Sequence, residues 1–443
     1  MAALYSIAEF GSFVADKIVP GYQSLPKHIF DQLENFILTK RNKQADASEI
    51  MGISVRKGVG KIITAKNYVG IITMRDGTTI EILPKIYSQT FDEADESGNI
   101  AAVRKILVEM LKTLYQPSYK LLQTAYVNVA NINILEVFIR MYIDEVFRIV
   151  KHGLKCDYES VMQNDSIIKG KLKFSEHIKR NYAHKELNFV EVDHYSPNRP
   201  ENRLIKTTLQ YLYRQSASIR NKRDIKTLLN EFSEVSLSEN FETDFSKCVP
   251  DRNMIDYEFA LQWSRVFLSG KSFTSFSGSE IAAALLFPME TLFERYIAVK
   301  LFQILGGEEF QFFTQDTRHY LFDEPSKKFL MRPDIVMIRK GDGKTFVADT
   351  KWKVLSETKS NYGISQADMY QMFAYQKKYG AENITLIYPL TQQVPSNRDI
   401  QYMSHDGVTV RVKFVDLSDV QGSLSKIAED FKGEKTTDDS FVY

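Results

Sequence analysis

Two aspartates and a lysine lie in two neighbouring apolar segments in the last third of the chain. Asp334 lies in residues 331–338 (MRPDIVMI), and Asp349 and Lys351 lie in residues 345–353 (TFVADTKWK). Carboxylates bind divalent cations such as Mg²⁺, which keeps water ligands in protein sites. A neighbouring lysine can stabilise negative charge that develops on a phosphate. Together the three residues can hold a metal ion and a water molecule against a phosphodiester.

The sequence between the two segments, KGDGK (residues 340–344), is a strong turn signal. A turn centred between Gly341 and Asp342 places Asp334 directly opposite Asp349 on the neighbouring strand. Side chains paired in this way lie roughly 5 Å apart. Two carboxylates at that distance repel each other unless a cation lies between them or one takes up a proton.

The alternation of side chains along a strand predicts the face to which each residue of the second segment points. Asp349 and Lys351 point to one face because they are two residues apart. Thr350 is expected to point to the other face, but its carbonyl oxygen can reach a metal, so Asp334, Asp349 and Thr350 are the candidate ligands. A solvated Asp-x-Lys sequence is the alternative interpretation. We favour a functional site because both strands are apolar on both faces, as buried strands are. Charged side chains in such strands are costly unless they serve a functional site.

A helix predicted upstream offers a third carboxylate. The sequence LLFPMETLFERYI (residues 285–297) places Glu290 and Glu294 four residues apart, on one helix face. Glu294 is the better catalytic candidate because its neighbours are apolar, whereas Glu290 fits a solvated acidic face.

A helix predicted downstream contains the pattern Gln-x-x-x-Tyr twice within residues 366–375. Gln371 and Tyr375 share one face of this helix. Their amide and hydroxyl groups can orient water or bind a phosphate oxygen there, and we take both as candidate catalytic residues. Packing of the helix against a core explains the fragment equally well.

A basic segment near the middle of the chain contains the aromatic residues Phe174 and Tyr182 and a single acidic residue, Glu176. This combination is typical of a surface that binds DNA phosphates, and a solvated cationic loop is the rival interpretation. The candidate DNA-binding residues are Lys169, Lys171, Lys173, Lys179, Arg180 and Lys185.

The composition is that of a soluble globular protein: 443 residues, 26% charged and 44% hydrophobic, with a net charge of +1. A DNA-binding surface must therefore come from local clustering of cations. Cys156 and Cys248 lack metal-ligand spacing and are expected to be reduced thiols of a cytoplasmic protein. The start of the chain has no signal-peptide pattern. No apolar run approaches the roughly 18 residues of a membrane helix.

Two other classes of site find no support in the sequence. The seven histidines show no zinc-ligand spacing. The phosphate-binding motif GxxxxGK[ST] does not occur, so the chain has no P-loop of its own.

The hydrophobic pattern predicts a multidomain α+β protein. The predicted helices include 25–38, 280–304 and 365–379, and the predicted strands include short runs within 51–87 joined by an Asp76–Gly77 hairpin turn, and 309–314, 329–339, 345–353 and 383–388. The predicted division is 1–87 for a small N-terminal α+β domain, 88–100 for a linker, 101–275 for a mainly helical middle region, 276–432 for a C-terminal α/β domain with a mixed central sheet, and 433–443 for a tail.

These motifs resemble a known superfamily and, within it, a known family. The sequences RPD and DTK, with a preceding helical glutamate and a following Gln-x-x-x-Tyr helix, are similar to the PD-(D/E)xK nucleases. A narrower resemblance is to McrC, the nuclease subunit of McrBC-type (type IV, modification-dependent) restriction systems. It covers roughly residues 101–430 and rests on DSIIKGKLKF (165–174), ENRLIKTTL (201–209), LFERY (292–296), MRPDIVMI, VADTKWK (347–353), ISQADMYQMFAY (364–375) and LIYP (386–389), in the McrC order. Residues 1–87, with GTTIEILPKIY, resemble the N-terminal domain of longer McrC relatives.

The resemblance implies a Mg²⁺-dependent DNA endonuclease domain of the PD-(D/E)xK type at the C-terminal end, with Mn²⁺ as an alternative metal. Asp334 and Asp349 would be metal ligands, and Lys351 would stabilise the transition state or help to activate water. Glu294 carries over less directly, because the helical acid varies in position within the superfamily. The implied partners are methylated double-stranded DNA and a McrB-like hexameric AAA+ GTPase, to which the middle region would dock.

Two alternatives stay open at this point. The chain can be the nuclease subunit of a different AAA+ motor that acts on unmethylated DNA, or a non-catalytic adaptor that only stimulates an AAA+ ring. The intact set of Asp334, Asp349 and Lys351 argues against the adaptor.

Overall fold

The structure is a computed structural model that describes residues 4–39, 50–74, 78–85, 96–114, 134–248, 254–269, 281–307, 309–391, 393–394 and 400–433. The strands, numbered in chain order, are β1 (Leu4–Ala8), β2 (Ser12–Ala15), β3 (Gln23–Leu25), β4 (Met51–Arg56), β5 (Gly60–Ala65), β6 (Tyr68–Met74), β7 (Thr79–Leu83), β8 (Asp157–Asp165), β9 (Lys171–Leu172), β10 (Asn188–Ser196), β11 (Ile281–Pro288), β12 (Phe310–Thr314), β13 (Tyr320–Phe322), β14 (Lys328–Leu330), β15 (Ile335–Arg339), β16 (Thr345–Thr350), β17 (Asn383–Pro389), β18 (Ile400–Met403) and β19 (Thr409–Val415). The helices are α1 (Lys27–Thr39), α2 (Glu96–Leu114), α3 (Ile134–His152), α4 (Phe174–Arg180), α5 (Pro200–Gln215), α6 (Ile219–Glu231), α7 (Phe241–Lys247), α8 (Ile255–Ser269), α9 (Met289–Leu305), α10 (Gln366–Tyr379) and α11 (Val420–Lys432).

The chain forms two compact units, and the first is discontinuous in sequence. It combines Met1–Ile134 with Phe276–Tyr443, and the second unit is Leu135–Ser275. This division differs from the predicted domains, because β11, from the predicted C-terminal domain, pairs antiparallel with β6 of the predicted N-terminal domain. The N-terminal sheet therefore has the order β1-β7-β6-β11 and is shared by both segments.

The C-terminal part of the first unit is built on a six-stranded mixed sheet in the order β12-β15-β16-β17-β19-β18. Helix α10 packs on one face through Met372 and Tyr375. On the other face α9 packs with α11, where Phe431 contacts Phe346 of β16. The central strands β15, β16 and β17 are buried on both faces, which is why their sequences are almost continuously apolar. The mixed α+β class predicted from the sequence is confirmed.

Local signals set the ends of the elements that position the site. The β15–β16 hairpin turns at Gly343, whose φ of 71° lies in the left-handed region that glycine adopts without strain. Helix α10 begins after Ser365, whose side chain accepts a hydrogen bond from the Asp368 amide, and ends at Gly380 in the left-handed conformation.

Three expectations about secondary structure are wrong. Residues 281–288 form β11 rather than the first half of a helix, because β6 offers them a partner strand. The segment 329–339 is interrupted, and only its two ends are strands, β14 and β15. The end of the predicted linker, residues 96–100, is helical and belongs to α2, while residues 88–95 of that linker and the 434–443 part of the predicted tail lie outside the described residues.

The second unit combines helices with a small antiparallel sheet in the order β8-β10-β9. Its core contains the indole of Trp263, which contacts the ring of Phe138 at a centroid distance of 5.2 Å. Across the residues that the structure describes, no helix is long and apolar enough to cross a membrane.

Candidate active site

The hairpin of β15 and β16 brings the two predicted aspartates together. Ile335 is paired with Ala348, so Asp334 and Asp349 occupy the next opposed positions at the end of the ladder. The register predicted from the turn is therefore confirmed. Asp349 is almost fully buried, with 1% of its surface exposed, and Asp334 is half-buried.

Thr350 interacts with Asp334 through both its backbone and its side chain. Its amide N–H donates to Asp334 Oδ2 at 2.7 Å, and its hydroxyl donates to the same oxygen at 2.8 Å. The expectation that the Thr350 side chain points away from the carboxylates is wrong, because Asp334 lies just before β15 and reaches across to the end of β16. These two hydrogen bonds hold the Asp334 carboxylate in place.

Lys351 and Asp349 form an ion pair on the face of β16 on which the sequence placed them. Lys351 Nζ also donates to Gln371 Oε1 at 3.4 Å, and Gln371 Nε2 donates to the Tyr375 hydroxyl at 2.7 Å. The Tyr375 hydroxyl hydrogen bonds further to the backbone of Arg332. The structure thus joins Lys351, Gln371 and Tyr375 in one chain of contacts, although Tyr375 is also part of the core beneath α10.

Glu294 of α9 lies near the two aspartates. The side-chain amide of Gln315 donates a hydrogen bond to Glu294 Oε1 and another to Asp334 Oδ1, the latter at 3.2 Å. Glu290, one turn earlier in the helix, is exposed to solvent, as the sequence predicted.

Gln315 is a residue that sequence reasoning missed. It follows β12, and its backbone φ of 50° is unusual for a residue other than glycine, asparagine or aspartate. Its amide N–H donates to the backbone carbonyl of Asp334 at 2.9 Å. No motif signals it, because its role depends on a strained backbone that turns the amide toward two carboxylates.

Burial raises the pKa values of all three carboxylates, and charge repulsion adds to the shift in Asp349 and Glu294. Burial, followed by the charge of Asp334, raises the pKa of Asp349 to about 7 and that of Glu294 to about 7. Burial also raises the pKa of Asp334, although hydrogen bonds from Thr350 oppose this shift. Burial lowers the pKa of Lys351, but the charge of Asp349 outweighs it, so the net shift is upward and the ammonium is favoured.

The donor set fits a hard divalent cation. In the described part of the chain, no group of three His, Cys, Asp or Glu side chains is already arranged to hold a metal ion. Mg²⁺, however, is commonly bound through one or two carboxylates, with water completing its octahedral shell. Asp334 and Asp349 could supply those carboxylates, and a cation there would offset the repulsion that raises the pKa of Asp349.

The predicted basic segment belongs to the second unit and is only partly neutralised. Lys173 pairs with Glu191 at 2.6 Å, and Arg180 pairs with Glu176 at 2.8 Å. Lys169 lies 3.7 Å from Asp165. The remaining candidates, all exposed, are Lys171, Lys179 and Lys185. DNA binding by this segment stays a prediction.

Comparisons with known proteins identify what the chain resembles. The profile of the family described as "McrBC 5-methylcytosine restriction system component" matches residues 63–389. A solved structure described as a half-complex from a tetradecameric assembly of Thermococcus gammatolerans McrB AAA+ hexamers with bound McrC contains a similar chain. The similarity has a TM-score of 0.63 at 18% identity and covers 96% of this chain and 100% of that chain. A second structure, of the T. gammatolerans McrBC complex, matches with a TM-score of 0.46 at 17% identity, over 69% of this chain and 89% of that one. Comparison with curated protein sequences gives no match.

Proposed function

The chain belongs to the McrBC 5-methylcytosine restriction system component family, and from this premise we propose that it is the metal-dependent DNA endonuclease subunit of a modification-dependent restriction complex. The observation that carries the proposal is the convergence of Asp334, Asp349 and Lys351 at the end of the β15–β16 hairpin. Buried charges of this kind are costly, and a stable protein retains them where they serve a site.

Asp334 and Asp349 would hold Mg²⁺, or Mn²⁺ in its place. When bound, the ion would polarise the scissile phosphate and lower the pKa of a water ligand. Lys351 keeps its proton beside Asp349 and can therefore stabilise negative charge on the phosphate. This division of roles is typical of nucleases of the PD-(D/E)xK type.

The remaining candidates position these groups. Gln371 accepts a hydrogen bond from Lys351 and donates one to Tyr375, which fixes the amide and limits the directions that the ammonium can take. Gln315 separates Glu294 from Asp334 with two N–H donors. Glu294 would accept a proton or orient water near the metal.

We propose a hexameric AAA+ GTPase of the McrB type as the partner. The structurally similar McrC chain is described as bound to McrB AAA+ hexamers, and this chain has no P-loop motif of its own. The second unit offers a docking surface on β8 and β10, where Tyr158 and Tyr195 pair across the strands with ring centroids 5.3 Å apart. These rings are 71% and 67% exposed, and exposed aromatic pairs are typical of protein interfaces.

The experiment that tests this function combines the chain with its McrB-type partner and four substrate conditions. Methylated and unmethylated DNA are each incubated with GTP or ATP in the presence of Mg²⁺. We expect cleavage only of methylated DNA with GTP, and loss of cleavage but not of partner binding in Asp349→Ala. Equal cleavage of unmethylated DNA, or cleavage driven by ATP, would contradict the restriction role and favour a different motor.

A further inference from the structure

A small hairpin leads directly into the candidate active site and exposes aromatic rings to solvent. Strands β13 and β14 pair antiparallel, with Phe322 opposite Lys328. Every residue from Phe322 to Leu330 is exposed. Phe322 is 55% and Phe329 73% exposed, and their rings contact each other at a centroid distance of 5.9 Å. Two large apolar rings at the tip of a two-stranded hairpin add little to the core, so a structural role does not explain them.

The hairpin is fixed to the same helix that carries two of the site residues. Lys378 Nζ of α10 donates a hydrogen bond to Asp323 Oδ2 at 2.8 Å and forms an ion pair with it. The rings of His319 and Tyr379, at the base of the hairpin, have centroids 4.4 Å apart. The hairpin therefore holds a set position relative to Gln371 and Tyr375.

The base of the hairpin lies close to the metal-binding carboxylates along the chain. Leu330 precedes Asp334 by four residues, which span at most about 14 Å when fully extended. This length corresponds to about four steps of a DNA strand at about 3.4 Å each. A nucleic acid whose phosphate reaches Asp334 is thus within reach of the hairpin.

The charge around the rings suits a polyanion. Lys327 and Lys328 are exposed beside Phe329, and exposed Arg332 follows the hairpin. Among the ion pairs between residues that the structure describes, none includes these three cations, whereas the acidic Asp323 is neutralised by Lys378. Glu324 is the remaining acid at the tip. Cations next to exposed aromatic rings form the typical surface for stacking on nucleic-acid bases.

We infer that the hairpin of residues 320–330 contacts DNA beside the cut, with Phe322 and Phe329 stacking on bases and Lys327 and Lys328 contacting phosphates. Stacking on an aromatic ring tolerates every base, because each presents a π face. Apolar side chains inserted at a base step also kink or unstack a duplex. The inference rests on the proposed function, since it takes DNA as the substrate of the neighbouring site.

The test measures DNA binding by the full chain in Ca²⁺, with a short duplex that carries 2-aminopurine at successive positions. We expect Phe322→Ala and Phe329→Ala each to weaken binding about five- to 150-fold, from the usual contribution of one stacked base. Both substitutions should abolish the change in 2-aminopurine fluorescence that accompanies binding. Phe329→Trp should retain both the affinity and the fluorescence change. Met403→Ala, which changes an exposed apolar residue of β18 that is 72% exposed, should bind like the wild type.

The lysines give an independent readout. Lys327→Gln combined with Lys328→Gln should reduce the slope of log K against log salt by about 1.8, that is about 0.9 for each phosphate that a lysine no longer neutralises. The phenylalanine variants should leave that slope unchanged. A structural defect would not separate the two effects in this way.

The outcomes separate this inference from the proposed nuclease function. Loss of binding and fluorescence signal in the phenylalanine variants supports the hairpin even if the wild-type complex fails to cut DNA. Wild-type affinity and signal in these variants overturns it even if cleavage is observed. Failure of the wild-type chain to bind the duplex also overturns it. So does a result in which the phenylalanine variants lose binding to the GTPase ring but keep binding to DNA.

Discussion

The indole N–H of Trp352 donates a hydrogen bond to Glu9 Oε2 at 3.0 Å, although the two residues are 343 positions apart in the chain. Trp352 directly follows Lys351, and its ring contacts Phe293, the neighbour of Glu294, at a centroid distance of 5.2 Å. Both partners of the hydrogen bond are buried. The hydrogen bond thus connects the N-terminal segment to the end of β16, at the point where the candidate catalytic lysine leaves the sheet.

Loss of the hydrogen bond between Trp352 and Glu9 should reduce cleavage more than DNA binding. Glu9→Gln retains an oxygen that can accept from Trp352, whereas Glu9→Ala leaves a buried indole N–H unsatisfied, at a cost of about 1–3 kcal/mol. We therefore expect Glu9→Ala to lower the single-turnover cleavage rate and the melting temperature, and Glu9→Gln to stay close to the wild type in both. Equal behaviour of the two variants would show that the hydrogen bond has no such role.

Glu9 should also make stability depend on pH. Burial raises the pKa of Glu9 from 4.5 to about 7, against the opposing effects of the hydrogen bond from Trp352 and of nearby Lys85, and Glu290 adds to the rise. Between those two pH values the folded state binds more protons than the unfolded state, so the free energy of unfolding falls as the pH rises through the interval. Denaturant titrations at about pH 4 and about pH 8, on either side of that interval, should show this loss in the wild type and a smaller loss in Glu9→Gln. If Glu9→Gln loses as much unfolding free energy between the two pH values as the wild type does, the assignment to Glu9 is contradicted.

Gln315 offers a way to separate backbone strain from side-chain chemistry. Gln315→Ala and Gln315→Gly both remove the amide that bridges Glu294 and Asp334, but only glycine adopts a φ of 50° without strain. We expect the two variants to lose the same amount of cleavage activity, and the glycine variant to be more stable by about 1 kcal/mol. Gln311→Ala, at an exposed position of β12, is the matched control. Wild-type cleavage rates in both Gln315 variants would show that the amide has no such role, and unequal losses would show that the backbone strain itself affects cleavage.

Metal binding should stabilise the folded chain through the two aspartates. A ligand that binds only the folded state adds about 2.7 kcal/mol at a hundred times its dissociation constant. We expect Mg²⁺ to raise the melting temperature of the wild type and of Asp342→Asn, an exposed aspartate in the β15–β16 turn, but not that of Asp334→Asn or Asp349→Asn. An equal rise in all four proteins would place the metal elsewhere.

Much of the site could be predicted because it depends on local sequence. A turn signal and the two-residue period of a strand were enough to pair Asp334 with Asp349 and to place Lys351 beside Asp349. Helical spacing likewise put Gln371 and Tyr375 in contact. Each of these relationships is set within one hairpin or one helix.

The relationships that were missed depend on tertiary contacts. Glu9 lies more than three hundred residues from its partner Trp352, and the strained backbone of Gln315 has no local signature. The apolar run of alanine and leucine in β11 suits a helix as well as a strand, and pairing with β6 decides between them. Alternation along a strand predicts the direction of the Thr350 side chain, but it does not describe how Asp334 reaches across the end of the ladder.

Single-turnover cleavage of methylated DNA by the complex with the AAA+ partner decides whether Asp334, Asp349 and Lys351 form a metal-dependent phosphodiesterase site. We expect Asp349→Asn and Lys351→Ala each to lower the rate at least about 10²- to 10³-fold, with partner binding intact, while Asp342→Asn cuts at the wild-type rate. Cleavage that persists at the wild-type rate in both Asp349→Asn and Lys351→Ala would contradict this assignment.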